Sequence, residues 1–130
     1  MTWFKQQLYY AHSMRIYNSK REAEETKLIK EHFSKYKFFC PNKSRPKSWA
    51  NSSGSQIMKG CLQFVRKSKI VVASEYQNHV GKGVFAEVSE AISNGISCYV
   101  IRNNVFVPVQ YIEIVNADDW AVKYGKIITY

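Results

Sequence analysis

Apolar and polar positions along the chain follow two periods, and together they predict strands that alternate with helices. Short apolar runs predict four strands, at residues 8–11, 37–40, 70–74 and 98–101. Between these runs apolar residues recur every three to four positions, which predicts three helices, at residues 18–36, 55–65 and 84–94. Strict alternation of this kind favours a three-layer α/β/α sandwich of the flavodoxin or Rossmann type, built on a mostly parallel sheet.

The length of 130 residues suits one domain, which we expect to span residues 1–130. Further β-rich runs at 104–109, 111–115 and 126–130 predict short additional strands. One long polar stretch, residues 41–55, separates the second predicted strand from the second helix. A loop of this length in a compact domain is usually functional or mobile.

Basic residues outnumber acidic ones by 19 to 10, so the formal net charge is +9. This excess favours an anionic partner, either a phosphorylated small molecule or a nucleic acid. The polar stretch also places basic residues next to an aromatic one, as in proteins that bind single-stranded nucleic acid. These residues are Lys43, Arg45, Lys47 and Trp49. The alternatives are lysines that only solvate the surface and a solvated basic turn.

The three cysteines, Cys40, Cys61 and Cys98, are odd in number and widely spaced. Because the sequence has neither a CxxC nor an HxxxH pattern, we expect no metal site and no cofactor. Free thiols favour a reducing location, the cytoplasm (the host cytoplasm if the source is a virus). We expect no membrane association, since no run of about 18 apolar residues and no signal-peptide h-region is present.

Ligands of such folds bind at the carboxyl ends of the strands, so the loop after the first strand is a candidate site. It carries Tyr9, Tyr10, His12, Ser13 and Arg15. A hydroxyl and a guanidinium at a strand end can hold a phosphate, and a histidine can act as a general acid or base. The alternatives are a plain turn with an exposed arginine and a hydrogen-bonded loop histidine.

The stretch VGKGVFAE, residues 80–87, follows the third strand and raises a second candidate site. Gly81 and Gly83 can adopt positive φ and let a sugar or phosphate approach the backbone, or they only form a tight connection between strand and helix. Glu87 is predicted in the first turn of a helix, where the dipole stabilises its charged form, as a nucleophile requires. A structural Glu87 would instead point to solvent or pair with Lys82.

The segment EVSEAISNG, residues 87–95, resembles the E-x-G-x-A-x-x-x-G element of the nucleoside 2-deoxyribosyltransferase superfamily, with Glu87, Ala91 and Gly95 matching. LYYAHSMR (8–15) and GCLQFVRKSKIVVAS (60–74) are similar to the opening strand and to the helix and central strand of that superfamily. The resemblance covers residues 7–101 and is closest to uncharacterised archaeal and phage members.

The resemblance implies that Glu87 attacks the anomeric carbon of a ribosyl or deoxyribosyl group and that Tyr9 or Tyr10 is the family's early tyrosine. It further implies that Ser13 and Arg15 hold a 5′-phosphate, that the substrate is a nucleoside or nucleotide, and that a homo-oligomer completes the site.

The sequence departs from the family pattern at three positions. Family aspartates fall on Cys61 and Lys69, and a glycine falls on Ser89. Glu75 and Asn78 are the candidates to replace the orienting aspartate. We therefore expect a nucleotide N-glycosidase or (deoxy)ribosyltransferase, with two alternatives: a non-catalytic binder of a nucleotide-derived ligand and a basic nucleic-acid-binding protein.

Overall fold

The computed structural model of the chain describes residues 5–74, 80–109 and 127–128. The strands within these residues are β1 (Gln7–Ala11), β2 (Lys37–Phe39), β3 (Ile70–Ser74), β4 (Val80–Gly81), β5 (Ser97–Arg102), β6 (Val105–Val109) and β7 (Ile127–Ile128). The helices are α1 (Lys20–His32), α2 (Pro41–Ser44), α3 (Gly54–Arg66) and α4 (Lys82–Ser93). Two short 3₁₀ turns lie at Met14–Ile16 and Lys47–Asn51.

Five strands form the main sheet in the order β2-β1-β3-β5-β6, and β4 pairs with β7 in a separate short ladder. The first four strands of the main sheet are parallel, and β6 runs antiparallel to β5. Apart from that last strand, this is the strand order of flavodoxin-like sheets, in which β2 is added on one side of β1 and the later strands are added on the other side. The predicted α/β sandwich with a mostly parallel sheet is confirmed.

Side chains of each central strand alternate between two apolar layers, which places the helices on both faces of the sheet. Tyr9 and Val71 pack with residues of α3 and α4 on one face. Leu8 and Val72 pack with Ile29 of α1 on the other face. All five residues of β3 are buried, as expected for the central strand of a parallel sheet.

Local signals set several helix ends. The Ser19 hydroxyl accepts from the Glu22 amide at the start of α1, and Ser53 and Gln56 form a reciprocal capping box at the start of α3. The Asn94–Gly95 pair was predicted to end α4, and Gly95 has the positive φ, 69°, that is common in the residue after a helix C-cap.

The polar stretch 41–55 is more ordered than the expected loop, since it contains α2 and a 3₁₀ turn. Trp49 of that turn lies against Phe64 of α3, with ring centroids 5.6 Å apart. A Cβ at Gly60 would collide with the Trp49 ring, so this glycine allows the polar stretch to pack on α3.

The predicted strand at 104–109 is confirmed as β6, whereas the run at 111–115 lies outside the described residues, as do Glu75 and Asn78. No helix in the described part of the chain is both long and apolar enough to cross a membrane.

Candidate functional site at the carboxyl ends of the strands

Two clusters of polar side chains lie on the two faces of the sheet, where β1 neighbours both β2 and β3. The point between β1 and β3 is where sheets of this order bind their ligands. The first cluster lies on the α3 and α4 face and centres on Glu87. The second lies on the α1 face and centres on Glu22.

Tyr9 and Glu87 form the core of the first cluster. The Tyr9 side chain is fully buried, and its hydroxyl donates a hydrogen bond to Glu87 Oε2. Glu87 itself is only 5% exposed, so the alternative in which it points to solvent is wrong. The structure therefore brings together the carboxylate and one of the two tyrosines that the sequence selected.

Burial raises the pKa of Glu87 to about 8, against the opposing effect of the Tyr9 hydrogen bond. The expectation of a carboxylate kept charged by the helix dipole is wrong. Helix α4 begins at Lys82, two residues before the predicted start, so Glu87 lies in the second turn. It is also one of the buried residues of this helix. The dipole acts mainly within the first turn, and desolvation dominates here.

Cys61 of α3 completes the first cluster. Burial raises the pKa of its thiol, and contact with the Tyr9 hydroxyl lowers it in part. The group beside Tyr9 and Glu87 is therefore a neutral thiol, which supplies no second carboxylate for orienting a sugar.

Tyr17 and Arg45 border this cluster, and the sequence did not single out either for it. Burial and the nearby Glu87 carboxylate raise the pKa of Tyr17, and the Arg45 guanidinium opposes this rise. Arg45 has the same influence on Cys61. Arg45, which the sequence offered only as a nucleic-acid contact, is thus a half-buried cation near Tyr17 and Cys61.

Tyr10 points to the opposite face of the sheet, as strand alternation requires. Its hydroxyl donates to Glu25 Oε1 at 2.6 Å, and its ring stacks on His12 with centroids 3.9 Å apart. Tyr9, and not Tyr10, is therefore the tyrosine that lies against Glu87.

His12 belongs to the second cluster and is 4% exposed. Its Nε2 lies 2.7 Å from Glu22 Oε2, and its Nδ1 lies 3.1 Å from the Tyr10 carbonyl oxygen. With both nitrogens engaged and the ring stacked on Tyr10, His12 is held inside the fold and does not reach out towards a phosphate.

Glu22 accepts hydrogen bonds on both carboxylate oxygens. Lys43 Nζ and the Asn18 amide reach Oε1 at 2.9 and 3.1 Å, and Asn42 Nδ2 reaches Oε2 at 3.0 Å. Burial raises the pKa of Glu22, but these donors and His12 outweigh it and bring the pKa well below its ordinary value. Glu22 is therefore a buried, ionised carboxylate.

Cys40, at the end of β2, is the third member of the second cluster. Its Sγ lies 3.9 Å from His12 Nε2 and 2.9 Å from Asn42 Oδ1. Burial, with the Glu22 charge, raises the pKa of this thiol to about 11. Nothing in the sequence spacing connects Cys40 with His12 and Glu22, because parallel pairing of β1 with β2 brings them together.

Ser13 and Arg15, the predicted phosphate ligands, lie in the 3₁₀ turn after β1. The Ser13 hydroxyl accepts from the Arg15 backbone amide at 2.9 Å and so caps the turn. Ser13 is buried and Arg15 is exposed. Their role with a phosphate stays a prediction.

Gly81 and Gly83 do not form the left-handed turn expected of them. Gly81 has a φ of −69° and immediately precedes α4. Gly83 lies inside α4, where an added Cβ would come 3.1 Å from the Met58 methyl group. The expected positive φ is therefore wrong for these two glycines, and close approach of a ligand to the backbone stays a prediction for both Gly81 and Gly83.

The polar stretch 41–55 offers less exposed surface to a nucleic acid than the sequence predicted. Lys43 pairs with Glu22, Arg45 is half-buried, and the Trp49 ring packs on α3. Lys43, Arg45 and Trp49 therefore do not form one exposed surface on which the bases of a single-stranded nucleic acid could stack.

No protein-family model matches the sequence, and no curated protein matches it. Among solved structures, the chain is similar to a 2-deoxyribosyltransferase from Leishmania mexicana, with a TM-score of 0.53 and 13% sequence identity. The similarity covers 75% of this chain and 65% of that protein, so the chain spans about two thirds of its relative. A likeness at this identity shows the shared α/β fold.

Proposed function

We propose that this protein cleaves the N-glycosidic bond of a nucleoside or nucleotide through Glu87 and transfers the sugar to water or to a second base. The observation that carries this proposal is the buried hydrogen bond from Tyr9 to Glu87 beside the junction of β1 and β3. The fold shared with a 2-deoxyribosyltransferase supports the same reaction class.

Glu87 acts as the nucleophile. Tyr9 engages Oε2, and among the described residues no donor is bound to Oε1, which is the attacking atom. Oε1 forms a bond to the anomeric carbon as the carbon–nitrogen bond breaks, and the base leaves with the electron pair and takes up a proton. Water or a second base then displaces the carboxylate, which restores Glu87. Attack requires the carbon within about 3–3.5 Å of Oε1.

Tyr9 is a positioning residue in this mechanism. Its hydrogen bond fixes one carboxylate oxygen and favours the charged form against burial. Because the pKa of Glu87 is about 8, only a minor fraction is ionised at neutral pH in the unliganded protein. The rate of base release should therefore rise as the pH rises through 8, whereas a general-acid role would give the opposite slope.

The positive groups near this edge favour a substrate that carries a phosphate. Arg15 is exposed on the turn after β1, and Arg45 is half-buried near Tyr17 and Cys61. A guanidinium can bind a phosphate through two parallel hydrogen bonds. Nucleoside monophosphates are therefore the preferred substrates.

The second candidate function is binding of a nucleotide-derived ligand without catalysis. Cys61 favours it, since a neutral thiol stands beside Tyr9 and Glu87 where the superfamily has an aspartate. The raised pKa of Glu87 favours it as well, because a protonated carboxyl is a poor nucleophile.

A chromatographic screen for free base, run on nucleosides and nucleoside monophosphates, tests both candidates. Glu87→Gln should abolish base release. Glu90→Gln is the matched control, because Glu90 lies one turn further along α4 and pairs with Arg66 at the surface. Ligand binding by the wild type without any base release would reject the enzyme and support the binder.

A further inference from the structure

The second cluster brings together three side chains that ligate transition metals. His12, Glu22 and Cys40 are all buried, and each offers one ligand atom, with all three atoms within 4.8 Å of one another. They come from the end of β1, the first turn of α1 and the end of β2. The sequence predicted no metal site because these residues are 10 and 18 positions apart.

We propose that His12 Nε2, Glu22 Oε2 and Cys40 Sγ bind a zinc ion. Imidazole, carboxylate and thiolate are the protein ligands that zinc takes. A thiolate in the set disfavours magnesium and calcium, which take oxygen ligands. The proposal is independent of glycosyl transfer, since Glu87 is not one of the three ligands.

The surroundings of His12 and Glu22 support ligation. A metal-bound histidine almost always donates its other ring N–H to a carbonyl or carboxylate, and His12 Nδ1 faces the Tyr10 carbonyl oxygen at 3.1 Å. Glu22 Oε1 is held by Lys43 and by the Asn18 amide, which turns Oε2 towards His12 and Cys40. Both ligands therefore already have the outer contacts that fix a metal-binding orientation.

The distances fit a site that closes around the ion. Around tetrahedral zinc, with bonds of about 2.0–2.3 Å, neighbouring ligand atoms lie about 3.3–3.6 Å apart. Here His12 Nε2 lies 2.7 Å from Glu22 Oε2 and 3.9 Å from Cys40 Sγ. Side-chain movements of about half an ångström open the first distance and close the second. The third pair, Glu22 with Cys40, lies within 4.8 Å and closes by at most about 1.3 Å.

The ligands also offer negative charge to the ion. Zinc binding releases the Cys40 thiol proton and the proton between His12 and Glu22, so a thiolate and a carboxylate face the ion. Lys43, whose ammonium lies 2.9 Å from Glu22 Oε1, keeps its positive charge beside the site. Asn42 contacts both Cys40 and Glu22 through its side chain. If the Asn42 side chain rotates, either its carbonyl oxygen or a water molecule can become the fourth ligand of the ion.

The test is a titration of untagged, chelator-treated protein with zinc and with cobalt(II), followed by calorimetry and by absorbance. We expect equimolar zinc binding, a thiolate-to-cobalt charge-transfer band and a higher melting temperature with zinc. Cys40→Ser should remove the band and weaken zinc binding by more than about 100-fold, beyond what loss of an outer contact costs. Cys98→Ser is the matched control, because Cys98 is also a buried free thiol but lies on β5.

Melting the metal-free Cys40→Ser variant checks that it folds, and Glu22→Gln provides a second ligand variant if it does not. Absence of zinc binding by the wild type overturns the proposal. So does equal binding by Cys40→Ser and the wild type, or a charge-transfer band that is lost in Cys98→Ser instead.

Discussion

Replacing Glu87 with glutamine should change how the stability of this protein depends on pH. Glutamine has nearly the same shape as glutamate, and its side-chain oxygen can still accept the Tyr9 hydrogen bond. It cannot ionise, however, whereas wild-type Glu87 must lose a proton inside the fold at alkaline pH. The comparison therefore isolates the free energy of placing one charge at this buried position.

The magnitude follows from the pKa of Glu87, which is 4.5 in its ordinary state and about 8 in the fold. The pKa of Glu87 is higher in the folded than in the unfolded protein. Its contribution to the free energy of unfolding is therefore fully present below pH 4.5 and is lost as the pH rises through 8. At about 1.36 kcal/mol for each pH unit between these values, the full loss is roughly 5 kcal/mol. Water that enters the site reduces this figure.

The assay is urea unfolding of both proteins at intervals from about pH 5 to about pH 9. Glu22 depends on pH in the opposite sense, because its pKa is lowered, but its contribution changes only below about pH 4.5. We expect the free energy of unfolding of the wild type to fall relative to Glu87→Gln by roughly 4 kcal/mol across this window.

Glu90→Gln serves as the control, because Glu90 is partly exposed and pairs with Arg66 at the surface. Its stability curve should stay parallel to that of the wild type. If the stability curve of Glu87→Gln against pH also stays parallel to that of the wild type, Glu87 has its ordinary pKa in the fold. The argument for a desolvated carboxylate then fails.

Four further predictions concern Tyr9, two glycines of α3, Arg15 and the oligomeric state. Tyr9→Phe should shift the pH profile of base release to higher pH and lower its rate, because the hydroxyl that favours ionised Glu87 is lost; an unchanged profile would exclude a positioning role. Gly60→Ala should destabilise the fold by about 1–3 kcal/mol, because its methyl group collides with a tryptophan ring. Gly54→Ala, with open space around it, should be neutral or stabilise by up to about 1 kcal/mol, and equal denaturant midpoints for the two would contradict this account. Arg15→Ala should weaken binding of nucleoside monophosphates more than binding of nucleosides in calorimetry, and equal losses would assign Arg15 another role. Sedimentation should show a homodimer or larger assembly, and a monomer at micromolar concentration would reject that expectation.

Local pattern was enough to predict the sheet and its helices. The β-branched run of β3, the Ser19 cap and the Gly95 stop act within a few residues, so the sequence displays them directly. The start of α4 was missed because Gly81 offers no capping side chain to mark it. That shift of two residues places Glu87 in the second turn, and burial of its side chain raises its pKa.

Contacts between distant elements could not be predicted in the same way. Cys40 meets His12 only because β2 pairs with β1 in a register that sets Phe39 opposite Tyr9. The choice of Tyr9 over Tyr10 depends on which face of the sheet α4 covers. Sequence alternation shows that the two tyrosines point to opposite faces, but it does not show which face holds Glu87.

Glu22 and Glu87, the buried glutamates at the centres of the two clusters, differ in the hydrogen bonds that they accept. Both are desolvated, which by itself raises the pKa of a carboxyl group. Glu22 receives four donors, among them Lys43, and stays ionised, whereas Glu87 receives Tyr9 and titrates near 8. A carboxylate whose donors already fill both oxygens is suited to a fixed charge or a metal ligand. A carboxylate with one oxygen that no described residue engages, and with a pKa near neutrality, is suited to chemistry on a substrate, because a modest change in its surroundings switches its charge.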